Sequence, residues 1–212
     1  GYRIMLIRAD QQAKFAADKP AAAVRRLVYA QGHDWIDAKV LQLNGFSVLG
    51  AAGYSGAELC VLLARNPHFA LCHAYASAGR QPESFSSLYP RHKGQLDLLV
   101  QPWTDAEIEN IRGKVDVAFL ALPHEASEEV APKLMAAGIV VVDLSGAFRL
   151  KDPDLYPKYY GYAHQHPELI NEAVYSLMEW LDQPLPQLIS VPGCYVTAAS
   201  LALLPLIKAG LL

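Results

Sequence analysis

Cys194 occupies a position in the sequence where a thiol can act as a nucleophile. It follows the turn-forming pair Pro192–Gly193 and precedes an alanine- and leucine-rich stretch that is typical of a helix. The unpaired backbone N–H groups and the positive dipole at a helix start favour the reactive thiolate. The same N–H groups can hold a developing oxyanion. The alternative interpretation is a small buried side chain at a turn, because cysteine is among the most often buried residue types.

A second candidate site is a glycine-rich turn between an apolar run and a helix-forming stretch. Gly50, Gly53 and Gly56 follow residues 46–49 and lead into residues 57–65. In dinucleotide-binding folds, glycines at this point permit a tight turn and let the backbone approach the pyrophosphate. The spacing G-x-x-G-x-x-G differs from the common G-x-G-x-x-G, so the prediction depends on the flanking strand and helix. An ordinary glycine-rich turn is the alternative.

The end of the next apolar run indicates which dinucleotide would bind. NAD sites usually carry an Asp or Glu about twenty residues after the glycines, where it binds the ribose 2′-hydroxyl. Residues 76–80 read Ala-Ser-Ala-Gly-Arg and contain no carboxylate. The hydroxyl of Ser77 and the guanidinium of Arg80 suit a 2′-phosphate instead. The sequence therefore predicts NADP rather than NAD.

The elements that would position these residues alternate between strand and helix. Near-continuous apolar strands that alternate with helices indicate a parallel sheet covered on both faces. The predicted fold is therefore a doubly wound, Rossmann-like α/β sheet. Residues 82–104 are predicted as loop with one extra strand near 96–100, and residues 151–168 as a long excursion of the kind that is often functional. The predicted strands lie at 46–49, 69–75, 115–122, 139–144 and 188–191, and the predicted helices at 57–65, 127–137 and 195–208.

Composition excludes several classes of partner. The chain has 212 residues, of which 52% are hydrophobic and 18% charged, so it can bury a sizeable core. With a net charge of −3 and no basic block longer than Arg25–Arg26, neither nucleic acid nor an anionic membrane is expected as a partner. No apolar run approaches the roughly 18 residues of a membrane span.

The cysteines and histidines give no metal or disulfide pattern. Cys60, Cys72 and Cys194 are odd in number and lack C-x-x-C spacing, which argues against a disulfide framework and a zinc site. The pair His164 and His166 has no third ligand nearby in the sequence, so no metal is predicted. A reducing cytoplasmic location is expected.

Three motifs in order resemble one family of reductases. The chain carries Gly50-Ala-Ala-Gly-Tyr-Ser-Gly56, Asp143-Leu-Ser-Gly-Ala-Phe-Arg149 and Pro192-Gly-Cys-Tyr195, together with a tyrosine-rich tract at residues 159–169. From about residue 41 onward it resembles the bacterial N-acetyl-gamma-glutamyl-phosphate reductases, NADPH-dependent enzymes of arginine biosynthesis. The aspartate-semialdehyde and glyceraldehyde-phosphate dehydrogenases share this plan, but their cysteine motifs differ.

The resemblance implies a reaction and a set of site residues. The Cys194 thiolate would attack an acyl phosphate, expel phosphate and leave a thioester, and hydride from NADPH would release N-acetylglutamate 5-semialdehyde. Arg149 would bind a phosphate or carboxylate of this small-molecule substrate, or would serve as a structural ion-pair partner. The implied cofactor-binding residues are Gly50, Gly53, Tyr54, Ser55, Gly56, Ser77, Arg80, Leu122, Pro123, Ser145 and Gly146.

The family continues beyond the cysteine into a second α/β domain. That domain supplies a catalytic histidine, most of the substrate pocket and the subunit interface of an expected homo-oligomer. The chain is therefore interpreted as an extension of unknown role at 1–44, an NADP-binding domain at 45–192, and the start of a largely missing catalytic domain at 193–212. We expect this chain alone to be inactive, with the leucines of its last helix partly exposed.

Other functions remain possible at this point. A nucleotide-binding pseudoenzyme or regulatory module would keep the glycine turn without an acid–base partner for Cys194. An enzyme of the aspartate-semialdehyde dehydrogenase type would use the same plan on another acyl phosphate. His124, His164 and His166 are interpreted as local structure rather than as the general base.

Overall fold

The computed structural model describes residues 45–66, 69–177 and 185–211, so the predicted extension at 1–44 lies outside the described residues. The strands are β1 Gly45–Leu49, β2 Ala70–Ala76, β3 Glu83–Ser84, β4 Leu99–Pro102, β5 Val117–Leu120, β6 Val140–Asp143, β7 Val174–Tyr175 and β8 Leu188–Ser190. The helices are α1 Tyr54–Arg65, α2 Phe85–Leu88, α3 Glu107–Ile111, α4 His124–Ala136, α5 Tyr156–Tyr159, α6 Pro167–Glu172 and α7 Cys194–Lys208, with short 3₁₀ turns at Pro90–His92 and Pro153–Leu155.

The strands of the described residues form one sheet in the order β3-β4-β2-β1-β5-β6-β8-β7. Every neighbouring pair is parallel except β3 with β4, which is antiparallel. Chain order runs outward from β1 through β2 and β4 on one side and through β5, β6 and β8 on the other, and β3 and β7 are added at the two ends of the sheet. The topological switch point therefore lies between β1 and β5. Ligands of open α/β sheets bind beyond the carboxyl ends of the strands at such a point. The predicted doubly wound fold is confirmed.

Hydrophobic residues cover both faces of the central strands. All five residues of β1 are buried. Because side chains alternate along a strand, Phe46 and Val48 join a cluster that includes Cys60 of α1, whereas Leu49 joins a second cluster with Leu134 of α4. The central strands β1, β5 and β6 therefore read as near-continuous apolar runs, since neither of their faces is left to solvent.

Several observed elements differ from the predicted ones. Helix α4 begins at His124 instead of Ser127, so Pro123 is its N-cap residue. The extra strand lies at Leu99–Pro102, paired in parallel with β2, and residues 82–98 also contain β3, α2 and a 3₁₀ turn. The limits of β4 are set by its pairing with β2, and a strand of four residues is too short to show a periodic pattern in the sequence.

Helix α7 packs little of its surface against the rest of the described chain. None of its residues is buried, and Leu203 and Ile207 are 48% and 52% exposed. The predicted partial exposure of its leucines is therefore confirmed. Across residues 45–66, 69–177 and 185–211, no helix combines the length and the apolar character that crossing a membrane requires.

Candidate active site

The glycine turn after β1 is tight and leaves the start of α1 open. The N–H groups of Gly50 and Ala51 both donate to the carbonyl oxygen of Tyr75, at 2.9 and 2.8 Å. Gly50 has φ +89°, and a methyl group there would lie 2.8 Å from the carbonyl carbon of Ala121, so only glycine fits. Gly53 caps the twelve-residue α1, and it is exposed together with Tyr54 and Ser55. This exposed helix start can hold a pyrophosphate.

Ser77 and Arg80 follow the end of β2, next to the glycine turn. Both are exposed, and the N–H of Arg80 donates to the carbonyl of Ser77 at 3.1 Å, which closes a turn between them. Burial raises the pKa of the Tyr89 phenol, and the positive charge of Arg80 opposes this shift while Tyr54 adds to it. The Tyr89 phenol therefore interacts electrostatically with both Arg80 and Tyr54.

A buried carboxylate shapes the loop after β6. Asp143 is fully buried, and its Oδ1 and Oδ2 accept hydrogen bonds from the N–H and the hydroxyl of Ser145, at 3.0 and 2.9 Å. The Ser145 hydroxyl oxygen in turn accepts from the N–H of Ala147 at 3.0 Å. Burial raises the pKa of the Asp143 carboxyl, and the hydrogen bonds from Ser145 oppose this shift. The predicted cofactor residue Ser145 is thus held in place by Asp143, a contact for which the sequence motif alone gives no signal.

Gly146 contacts two aromatic rings. Its N–H donates to Nδ1 of His124 at 2.9 Å, so the proton of the neutral His124 ring is on Nε2. The rings of His124 and Tyr160 meet edge to face, with centroids 4.8 Å apart. A methyl group on Gly146 would lie 2.6 Å from Cζ and 2.8 Å from the hydroxyl oxygen of Tyr160. Only glycine therefore lets the tyrosine-rich segment approach the end of β6, and no local signal in the sequence pairs residues 146 and 160.

The tyrosine-rich segment is anchored on α4 through Glu128. This carboxylate is 3% exposed, and it accepts hydrogen bonds from the N–H of Gln165 and, at 3.1 Å, from that of His166. The Nδ1 of His164 accepts from the His166 N–H at 3.1 Å, so its Nε2–H donates to the carbonyl of Ala147 at 2.8 Å. Burial lowers the pKa of His164, and the charge of Glu128 opposes this. These contacts agree with the interpretation of His164 as local structure.

Cys194 is exposed at the first position of α7, and the other two thiols differ from it. Gly193 is the N-cap residue, and its carbonyl accepts the N–H of Thr197 at 2.9 Å. Cys60 is fully buried, which raises the pKa of its thiol to about 12. Cys72 is exposed on β2 and donates to the carbonyl of Ala70 at 3.3 Å. Cys194 therefore combines solvent access with a helix start, as the sequence predicts.

Arg149 bonds to backbone carbonyls. Its Nε donates to the carbonyl of Val191 at 3.0 Å and its Nη2 to that of Leu144 at 2.8 Å. Within the described residues, its guanidinium makes no ion pair with a carboxylate closer than 4 Å. The sequence predicts that Arg149 is either an anion ligand or an ion-pair partner. The structure shows a third role, in which its side chain bridges two loops.

The predicted site residues follow five neighbouring strands at one edge of the sheet. Three backbone hydrogen bonds of 2.9 Å join their loops: Ala121 N–H to Leu49, Leu144 N–H to Leu120, and Val191 N–H to Asp143. The edge runs from Ser77 and Arg80, through the glycine turn and the β5 and β6 ends, to Cys194. Within the part of the chain that the structure describes, no group of three or more His, Cys, Asp or Glu could hold a metal ion.

This chain matches one family model and several curated reductases. Residues 46–187 match the family model described as semialdehyde dehydrogenase, NAD binding domain. N-acetyl-gamma-glutamyl-phosphate reductase of Escherichia coli strain K12 is 48% identical over 169 residues, and that of Yersinia pestis is 47% identical over 172. Each alignment covers 78% of this chain and 50% of the relative. The chain thus spans about half the length of the curated relatives it matches.

Solved structures with the same fold include two aspartate-semialdehyde dehydrogenases. Aspartate semialdehyde dehydrogenase II from Vibrio cholerae, complexed with ASA, has a TM-score of 0.53 and 20% identity, and covers 79% of this chain and 47% of that one. A probable aspartate-semialdehyde dehydrogenase from Pseudomonas aeruginosa has a TM-score of 0.51 and 25% identity, and covers 79% and 43%. At 20% identity, the Vibrio cholerae match shows the fold alone.

Proposed function

The chain belongs to the family of semialdehyde dehydrogenase NAD-binding domains, and from this premise we propose that it is the cofactor-binding half of an N-acetyl-gamma-glutamyl-phosphate reductase. The nicotinamide cofactor follows from the family, and the resemblance predicted from the three motifs is confirmed. The proposed reaction reduces N-acetyl-gamma-glutamyl phosphate to N-acetylglutamate 5-semialdehyde, with release of phosphate, in arginine biosynthesis. An identity of 48% to these reductases favours this substrate over aspartyl phosphate, for which the likeness is in the fold.

We propose NADP as the dinucleotide. The support is the absence of a carboxylate at residues 76–80 and the presence of Ser77 and Arg80 beside the glycine turn. The residues fit a dinucleotide, because the glycine turn has no room for a side chain at Gly50 and the exposed start of α1 presents backbone N–H groups. Ser145 and Gly146 would flank the nicotinamide end, together with Leu122 and Pro123. Bound NADPH supplies the hydride.

Cys194 would carry the acyl group. Its thiolate attacks the acyl carbon of the substrate, the bond from that carbon to the phosphate oxygen breaks, and phosphate leaves. The resulting thioester then accepts the hydride at its carbonyl carbon. The N–H groups at the start of α7 can stabilise the oxyanion that forms. When this oxyanion collapses to the semialdehyde, the carbon–sulfur bond breaks and the thiolate returns.

The acid–base partner of Cys194 is proposed to come from elsewhere in the complete polypeptide. Among the residues that the structure describes, no histidine ring hydrogen-bonds to the sulfur of Cys194. The curated relatives have about twice the matched length, which leaves room for a second domain that supplies this group and an interface between subunits. A reducing cytoplasmic compartment would keep Cys194 as a thiol.

The observation that carries the proposal is the exposed Cys194 at the same sheet edge as the glycine turn. The test is NADPH oxidation coupled to phosphate release, measured on the complete polypeptide with N-acetyl-gamma-glutamyl phosphate. Cys194→Ala is expected to abolish both, and Cys72→Ala, which removes the other exposed thiol, is expected to leave both unchanged. Full activity of the Cys194→Ala variant would contradict the proposal.

Thiol labelling separates this proposal from a pseudoenzyme that merely binds nucleotide. With iodoacetamide below pH 8, we expect Cys194 to react first, the exposed Cys72 more slowly and the buried Cys60 last. Equal rates at Cys194 and Cys72 would favour the pseudoenzyme.

A further inference from the structure

Arg149 joins the ends of two neighbouring strands, β6 and β8, and β8 leads into Cys194. Strand β6 ends at Asp143 and β8 at Ser190, so the carbonyls of Leu144 and Val191 lie just beyond the ladder. The Nη2 of Arg149 bonds to the first carbonyl at 2.8 Å and its Nε to the second at 3.0 Å. A planar guanidinium can hold two acceptors in a fixed geometry, whereas a lysine ammonium is a single point charge. The two loops are thereby fixed relative to each other.

The loop that carries Arg149 is itself held by hydrogen bonds from Asp143 at the end of β6. The buried Asp143 carboxylate bonds to both the N–H and the hydroxyl of Ser145, and the Ser145 hydroxyl oxygen accepts the N–H of Ala147. The N–H of Arg149 donates to the carbonyl of Gly146 at 3.3 Å. The backbone at Arg149 is therefore set by the end of β6, and the side chain transmits that position to β8.

The third guanidinium nitrogen reaches the residue before the cysteine. A methyl group on Gly193 would lie 3.1 Å from Nη1 of Arg149 and 3.7 Å from its Cζ. On the other side of this turn, the Thr197 hydroxyl donates to the carbonyl of Pro192 at 3.3 Å. The segment from Val191 to Gly193 is thus held between Arg149 and the first turn of α7.

From this geometry we propose that Arg149 is a positioning residue for Cys194: its guanidinium clamps the Val191–Gly193 turn so that the sulfur stays at the start of α7. This role is additional to the anion binding expected from the sequence, which Nη1 can still perform. It rests on the proposed role of Cys194 as the nucleophile. Its test needs neither substrate nor NADPH, so it can fail independently of the proposed reaction.

The test measures iodoacetamide labelling of each cysteine by peptide mass spectrometry in the full chain. Arg149→Met removes the clamp, and Arg149→Lys keeps the charge but loses the planar fork of separate nitrogens that holds the carbonyls of Leu144 and Val191 in one fixed geometry. Both are expected to slow labelling of Cys194 by about three- to tenfold, the change that loss of one hydrogen bond produces in an equilibrium. Labelling of Cys72 in the same sample is expected to stay constant, and labelling of the buried Cys60 reports any unfolding.

The matched control is Lys151→Met. Lys151 lies two residues after Arg149, and its Nζ also bonds to two backbone carbonyls, those of Ile170 and Ala173, at 3.0 and 2.9 Å. Its loss removes two comparable hydrogen bonds without touching the turn at Cys194, so the labelling rate of Cys194 is expected to stay at the wild-type value. Wild-type labelling in either Arg149 variant, or equal slowing in Lys151→Met, would overturn the proposal.

A second variant covers the case in which both Arg149 variants unfold. Gly193→Ser keeps a good N-cap residue but places a Cβ against Nη1 of Arg149, which must then shift. It is expected to slow Cys194 labelling, whereas Gly79→Ser, at an exposed glycine with no atom within 4 Å of the added Cβ, is expected to leave it unchanged. A wild-type rate in Gly193→Ser would refute the clamp.

Discussion

Substituting Gly146 by alanine should destabilise the folded chain through one identifiable ring. The new methyl group would lie 2.6 Å from Cζ of Tyr160, so this ring must leave its place. It would then lose its contacts with His124 and Tyr156, whose ring centroids lie 4.8 and 5.5 Å away. At about 0.5–1.5 kcal/mol for each aromatic pair, the expected loss is about 1–3 kcal/mol.

A double-mutant cycle in urea unfolding measures this loss. Gly146→Ala, Tyr160→Ala and the double variant are compared with the wild type through their unfolding midpoints at a common m-value. Because Tyr160→Ala has already lost both ring contacts, adding Gly146→Ala should cost less than about 0.5 kcal/mol in that background. The coupling energy should therefore be about 1–3 kcal/mol.

The matched control is Gly79→Ala, since a methyl group there meets nothing within 4 Å. It should leave stability unchanged or raise it by a few tenths of a kcal/mol, because it restricts the unfolded chain. The reasoning would be refuted if Gly146→Ala cost the same with and without Tyr160, or if it cost no more than Gly79→Ala.

Three further predictions concern the cofactor and pH. Arg80→Ala should weaken NADPH binding about tenfold in a fluorescence titration while leaving NADH binding unchanged. The control is Arg112→Ala, which removes an exposed arginine paired with Glu109 and should change the binding of neither cofactor. Equal losses of NADPH and NADH binding in Arg80→Ala would exclude a contact between Arg80 and the 2′-phosphate. Burial raises the pKa of the Asp143 carboxyl in the folded chain, so the contribution of this group to stability falls as pH rises above the ordinary carboxyl range of about 4. Asp143→Asn, which cannot ionise, should therefore gain stability relative to wild type as pH rises from there, and a difference that stays constant with pH would contradict this. Burial lowers the pKa of His164 in the folded chain, so the contribution of His164 to stability is lost as pH falls below about 6.5, where the unfolded chain takes up the proton. The melting temperature of His164→Gln should therefore fall less steeply in acid than that of wild type. An unchanged slope would count against this prediction.

The sequence predicts the central strands and the glycine turn because their signals are local. The run at β1 is apolar apart from Ser47 and is buried on both faces, and a glycine follows it where φ is positive. The sequence places the start of α4 at Ser127, three residues too late, because Pro123 offers no side-chain cap that would mark the start at His124. Likewise β3 and α2 are too short to show a period, and their positions depend on pairing with β4.

The side-chain contacts that shape the site could not be predicted from local sequence. Gly146 meets Tyr160, and Glu128 holds the backbone at His166, although each pair is distant along the chain. The sequence predicts an anion or a carboxylate as the partner of Arg149, yet its guanidinium bonds to two carbonyls that become available only where β6 and β8 end side by side. Such contacts depend on the strand order, which the sequence pattern does not specify.

The most direct test of Cys194 as the acyl-accepting nucleophile is peptide mass spectrometry of the complete polypeptide after mixing with N-acetyl-gamma-glutamyl phosphate in the absence of NADPH. We expect one N-acetylglutamyl group on the peptide that contains Cys194, phosphate in solution, and loss of that group when NADPH is added. Absence of the adduct, an adduct on Cys72 instead, or acylation that persists in Cys194→Ala would contradict this role.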